Sequence, residues 1–193
     1  MTPRTEEQYE AIRQQSRETI LKAALELFAL NGFHNTSVSK ISERAGFSKG
    51  LIYNYFESKE QLLQTILEKA IQIGEKIMPE DFSQKEDRSL TKTIHEIFNL
   101  IKVNPHYWKL ILALSLHEDI KHRFHHIIRP RQERNLNNLI ELLKEKGVQQ
   151  ARLEALAISA LLDGVLLQFI YMGDQYPIDE MEDFLIEKFK KFN

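Results

Sequence analysis

From Thr36 to Leu63 the chain reads Thr-Ser-Val-Ser-Lys-Ile-Ser-Glu-Arg-Ala-Gly-Phe-Ser-Lys-Gly-Leu-Ile-Tyr-Asn-Tyr-Phe-Glu-Ser-Lys-Glu-Gln-Leu-Leu, and its apolar spacing leaves few folds open. Ile41 and Ala45 lie one helical turn apart. Gly46 supplies a residue free to take the left-handed conformation that ends a helix, and Ile52, Tyr55 and Phe56 line the inner face of a second helix. Phe47 fills the corner between them. Two short helices fixed at a steep angle make a helix-turn-helix, which presents its second helix to a DNA major groove. The outward positions of that helix, Ser48, Lys49, Gly50, Tyr53 and Asn54, are small, basic or hydrogen-bonding, the types that contact phosphates and base edges. A corner that serves only as scaffold has no reason to carry such a face.

Around this segment the residues follow a known pattern. It consists of a helix ending in phenylalanine and glycine, a Thr-Thr or Thr-Ser pair, an Ala-Gly corner, Ser-x-Gly-x-x-Tyr-x-x-Phe, and a Ser-Lys-Glu start to the next helix. Phe28, Gly32, Thr36-Ser37, Ala45-Gly46, Ser48, Gly50, Tyr53, Phe56 and Ser58-Lys59-Glu60 stand in those places. From about Arg13 to Ile66 the chain thus resembles the DNA-binding domain of TetR-family transcriptional regulators, over about a third of its length. It departs from the pattern mildly, with Ser42 where alanine is usual, Phe47 where valine is usual, and Tyr55 at a position that alternates between histidine and tyrosine. The resemblance implies an all-α homodimeric repressor that binds a palindromic operator in double-stranded DNA and is released by a small-molecule effector. On this reading Lys49, Gly50, Tyr53 and Asn54 reach the major groove or its edges, with Ser48 at the start of their helix. Thr36, Ser37, Tyr53, Tyr55 and Lys59 anchor phosphates, and the tail bearing Arg4 and Arg13 reaches toward a minor groove.

Composition sets limits without deciding the function. The 193 residues allow one or two domains with a core that needs no staples, and the absence of cysteine excludes disulfides and thiolate metal sites. The formal charge of −2 is not the basic balance that announces nucleic-acid binding by itself, so DNA affinity must come from a local footprint to which Arg17, Lys49 and Lys59 can contribute. The polar start, with Glu6, Glu7 and Glu10, has neither the apolar core nor the cleavage site of a secretory signal, and a cytoplasmic location is expected.

Proline and glycine are few, and apolar residues recur three and four apart throughout, which predicts about nine helices and no strands. The first runs from about Glu10 to Asn31 with a stop at Asn31-Gly32. Thr36 or Ser37 caps the second, Ser48 the third, and Ser58 with Gln61 forms a capping-box signature for the fourth, over about Lys59 to Met78. Polar residues 79–88 are the expected link, dividing a DNA-binding head at 1–78, its helix-turn-helix at about 37–56, from a helical effector-binding and dimerisation domain at 79–193. Further helices are expected over about 89–103, 105–116, 118–146, 151–172 and 178–192, and Pro130 should break or kink the third of these.

The stretch from Leu153 to Met172 is apolar nearly all round, which a helix on a monomer's surface cannot be. Ser159, Asp163, Gly164 and Gln168 interrupt it and no basic flank follows, so a membrane span is not the expected use. In TetR-like proteins the last two helices pair with their twofold mates, which points here to Ala155, Ser159, Leu162, Leu166 and Phe184 as interface residues. His95, Phe98, Trp108, Leu112, Phe124, Phe169 and Tyr171 mix aromatic surface with polar tips, as the walls of ligand pockets do and as ordinary cores also do. His122 and His126 share a helical face, and a metal-binding protein or enzyme using the His117–His126 cluster is the alternative. No cysteine or well-spaced carboxylate completes a tetrahedral site, and nucleophile, phosphate-loop and zinc-hydrolase motifs are absent. No metal, cofactor or catalytic residue is therefore expected.

Overall fold

The computed structural model describes residues 5–77 and 89–192. Nine α-helices account for most of them: α1 (Glu6–Asn31), α2 (Val38–Ala45), α3 (Lys49–Tyr55), α4 (Lys59–Ile77), α5 (Leu90–Val103), α6 (Pro105–Ser115), α7 (Glu118–Glu145), α8 (Ala151–Met172) and α9 (Ile178–Phe189). Among the described residues there is no strand, as the helical spacing requires. The expected link at 79–88 and the tail residue Arg4 lie outside the described residues. Two compact units form, one from residues 1–71 and 110–123, the other from 72–109 and 124–193, so the head takes in a segment of α6 and α7 as well as its own helices.

The starts of α1, α2, α3 and α4 are each fixed by a side-chain oxygen. Thr5 and Gln8 form a reciprocal capping box that starts α1 four residues earlier than its apolar pattern suggests, because Glu6 to Gln15 make an exposed run of helix with nothing to bury. Ser37 accepts from the Lys40 amide and Ser48 from the Leu51 amide, each cap contributing about 1 kcal/mol. Ser58 accepts from Gln61, whose own side chain turns back to the Glu57 amide. Gly46 takes φ 73° and ψ 25° at the end of α2, the left-handed conformation the corner needs.

The core behind these caps holds Ile20, Ala24, Phe28, Phe33, Ile41, Ile52, Phe56, Leu62 and Leu63, each at most 2% exposed. Burying an aliphatic or aromatic side chain of this size stabilises by about 1.5–3 kcal/mol, so the set outweighs the polar contacts of the surface. Two ion pairs tie neighbouring helices to α1: Arg44 of α2 with Glu26 at 2.6 Å, and Lys69 of α4 with Glu18. Leu114 and Ile120, both fully buried, belong to the same unit, and His117 between them bonds the Ala29 carbonyl at 3.3 Å.

The second unit is a helical bundle with α5 packed against α9. Its core contains Leu90, Ile94 and Phe98 of α5, Ile140 and Leu143 of α7, Ala155, Ile158 and Val165 of α8, and Leu185 and Phe189 of α9. Glu182 of α9 is almost fully buried but compensated, with His95 at 2.5 Å and Lys102 at 2.7 Å. Hydrogen bonds that Lys102 donates to Asp179 and then Glu182 hold its ammonium above its ordinary pKa. α7 is one helix through Pro130, so of the expected break or kink the break does not occur. The turns on either side carry it across, and the Arg131 guanidinium donates to the Ile127 carbonyl on the turn that the missing proline amide weakens. α8 has the length and apolarity of a bilayer span, yet Ala151, Ala155, Ile158, Val165 and Phe169 along one side of it are buried in the unit.

Candidate nucleic-acid interface and ligand cavity

The exposed surface of α3 is built by its own start. Ser48 turns its hydroxyl to the helix's amide end, which directs Lys49, Gly50, Tyr53 and Asn54 outward, all of them exposed, while Ile52 and Phe56 point into the core. Lys49 and Tyr53 lie together, the ammonium 6.0 Å from the ring centroid, and Tyr53 is 47% exposed. A Cβ added at Gly50 would meet no atom within 4 Å, so the glycine leaves an open notch beside them. Ser37 at the start of α2 is exposed and Tyr55 half-buried. A helix end offering free amides, a lysine, a phenol and an amide side chain can engage both phosphate oxygens and base edges.

Two residues expected on this face do other work. Thr36 is 1% exposed, and its hydroxyl donates to the Leu27 and Gly32 carbonyls, closing the loop between α1 and α2. Lys59 donates from its ammonium to the carbonyls of Phe33 at 2.7 Å and Thr36 at 2.9 Å, and lies 4.1 Å from the centre of the Phe33 ring. Both side chains satisfy backbone groups that a buried loop cannot give to water. The spacing of the sequence could not distinguish this from a phosphate contact, since either use places a lysine at the start of α4.

In the second unit an open cavity of about 470 Å³ lies between α5, α7 and α8. Thr93, Ile94, Ile97 and Ile101 of α5 line one wall, and Gln132, Asn135, Leu136 and Leu139 of α7 another. Ser159, Leu162, Asp163 and Leu166 of α8 complete it. This is within the size range of small-molecule sites, with mostly apolar walls and a few polar groups. Asp163 is exposed where the cavity meets solvent, and desolvation there raises its carboxyl above its ordinary pKa. The Asn135 amide oxygen is buried without a hydrogen-bond partner.

None of the residues expected to line a pocket lines this cavity. Phe98 is buried in the core, His95 is turned to Glu182, and the Trp108 indole donates to the Leu100 carbonyl at 3.0 Å. Leu112 belongs to the other unit, Phe124 is half-buried away from the cavity, Phe169 packs on Tyr176 at 6.4 Å between ring centroids, and Tyr171 is 87% exposed. The cavity is instead walled by aliphatic residues, and its polar signal, Asp163 inside an apolar helix, reads in the sequence only as an interruption.

The expected interface residues are also redistributed. Ala155 is fully buried, Ser159, Leu162 and Leu166 face the cavity, and Phe184 alone of the set stands out, at 60% exposure. The exposed stripe of α8 lies elsewhere, at Leu153, Ala157, Ala160, Leu167 and Tyr171, spaced four, three, seven and four apart. That is the recurrence of a helix seam. His122, His125 and His126 are exposed, and no three His, Cys, Asp or Glu side chains among the described residues come together to hold a metal ion.

The fold and these two sites define a helix-turn-helix DNA-binding protein with a ligand-sized cavity in a second helical unit. Residues 20–66 match the model of the bacterial regulatory proteins of the tetR family. The chain is 26% identical over 182 residues to the fatty acid metabolism regulator protein of Bacillus subtilis (strain 168), covering 87% of this chain and 90% of that one. It is 25% identical to the HTH-type transcriptional regulator BetI of Escherichia coli O127:H6, over 85% of this chain and 86% of that one. Among solved structures it is similar to the fatty acid degradation regulator FadR from Bacillus halodurans, with a TM-score of 0.65 and 25% identity over 89% of this chain and 93% of that one. It also has the fold of FadR from Bacillus subtilis in complex with stearoyl-CoA, with a TM-score of 0.61 and 24% identity over 88% of this chain and 95% of that one. Residues 20–66 thus carry a DNA-binding domain of the tetR type, and over most of its length the chain is similar to bacterial transcriptional regulators.

Proposed function

We propose that this chain is a cytoplasmic repressor that binds a palindromic operator as a homodimer and leaves it when a small molecule fills the cavity of the second unit. The observation that carries the reading is the exposed face of α3. Lys49, Gly50, Tyr53 and Asn54 stand free of intramolecular duties that would explain them, beside a capped helix start. Lys49, Tyr53 and Asn54 are assigned to base edges, and Ser37, Ser48 and Tyr55 to the flanking phosphates.

The second copy is argued from α8. Its exposed stripe spans most of a helix about 33 Å long, and Phe184 of α9 adds to it, more apolar surface than a lone regulator leaves in water. A twofold pair also meets the need of a palindrome, whose half-sites lie about 34–36 Å apart. Release follows from linkage: a ligand that favours a conformation with wrongly spaced heads lowers operator affinity by its differential binding free energy. α4, α6 and α7 each carry residues of both units and are the elements through which that difference would act. Selection of bound sequences from a random DNA pool tests the proposal. A palindromic consensus is expected, and recovery of no preferred sequence would overturn it.

A further inference from the structure

We propose that the cavity between α5, α7 and α8 takes an organic cation, an apolar body with an amine or ammonium head, and that Asp163 is its counter-ion. This rests on reading the cavity as the effector site and adds the chemical class of the effector. Among the described residues lining the cavity there is one carboxylate and no lysine, arginine or histidine. An anionic ligand would bring its charge toward Asp163 with no cation in the wall to offset the repulsion. The arginines of α7 nearest in sequence do not fill that role, because Arg131 and Arg134 are paired with Glu75 at 3.0 and 3.5 Å. A neutral hydrocarbon would fit the aliphatic walls but would cover the Asp163 carboxylate and leave it worse solvated.

A cation reverses both costs. Its apolar body occupies the isoleucine and leucine walls, and its head pairs with a carboxylate that is partly stripped of water, where ion pairing is stronger than at an open surface. The wall also holds an acceptor in want of a donor, the Asn135 amide oxygen, buried and without a partner. An N–H or a polarised C–H next to the charge meets that need. The polar groups of the lining thus favour a ligand that brings positive charge and donors, and they disfavour a carboxylate or a phosphate.

The test is calorimetric titration of the whole chain with octylammonium, octanol, octanoate and octanoyl-CoA, on the wild type and on Asp163→Asn and Asp163→Lys. Octylammonium should bind the wild type most tightly of the four. Asp163→Asn should weaken it by about tenfold or more while leaving octanol nearly unchanged, which also shows that the cavity is intact. Asp163→Lys should reverse the preference toward octanoate. Tighter wild-type binding of octanoate or octanoyl-CoA, no binding of octylammonium, or an Asp163→Asn variant that binds octylammonium as before would each overturn the proposal. Operator affinity measured alongside separates the two readings: octylammonium bound through Asp163 without any change in DNA binding would retire the effector reading and keep the cation site.

Discussion

Lys59 shows how one side chain can satisfy two different sequence arguments. Its ammonium closes the Phe33 and Thr36 carbonyls, and hydrogen bonds from a charged donor contribute about 1.5–3 kcal/mol net of exchange with water. Lys59→Met is therefore expected to lower the stability of the first unit by about 2 kcal/mol, read as a drop in the denaturation midpoint; unchanged stability with weakened DNA binding would return the residue to the phosphates. Tyr53→Ala and Lys49→Ala should behave in the opposite way. Both side chains are exposed, so stability should hold within about 0.5 kcal/mol while specific operator binding falls by about 1–3 kcal/mol in a quantitative gel-shift or anisotropy assay. Asp163 yields a prediction with a sign. Its carboxyl is raised in the folded state by desolvation, so the folded chain binds the proton more readily than the unfolded one, and the charged form costs stability above that range. Asp163→Asn should raise the melting temperature at neutral pH, and the gain should shrink as the pH falls through the carboxylate range and the wild-type side chain becomes neutral.

At the scale of the element, α8 carries the sharpest contrast. Ala155 and Ala160 look alike in sequence, but Ala155 is buried in the core of its unit and Ala160 stands on the exposed stripe. Glutamate at position 155 must bury an unpaired charge inside the fold and should unfold the second unit, seen as lost helical circular dichroism. Glutamate at position 160 or 167 should leave the helices formed and shift the protein from dimer to monomer in sedimentation at micromolar concentration. A monomeric wild type, or an Ala160→Glu variant that remains a dimer, would remove α8 from the interface. α3 was legible for the reason that α8 was not: α3 is short, capped and amphipathic, while an apolar helix with no polar side gives no hint of which face meets core, cavity or partner.

Across the whole molecule the expected behaviour is reciprocal. A ligand that binds only the folded chain stabilises it by about 2.7 kcal/mol at a hundredfold excess over its Kd, and if it also releases DNA, operator must weaken its binding by the same factor. Trp108, in the second unit and bonded to Leu100, offers a fluorescence probe of that binding. A ligand whose affinity is the same with and without operator would uncouple the cavity from the head.

The residues by themselves determined the helical class, the helix-turn-helix with its serine caps and Gly46 corner, and the outward face of α3, because all of these depend on neighbours three and four apart along one chain. Tertiary packing alone decided the rest. It drew Thr36 and Lys59 inward to close a loop, brought Leu114 and Ile120 into the first unit's core, carried α7 through Pro130, and set Asp163 and Asn135 at one aliphatic cavity. Those outcomes depend on which surfaces distant segments present to one another, and periodicity along a helix records only that a surface must be covered, not what covers it.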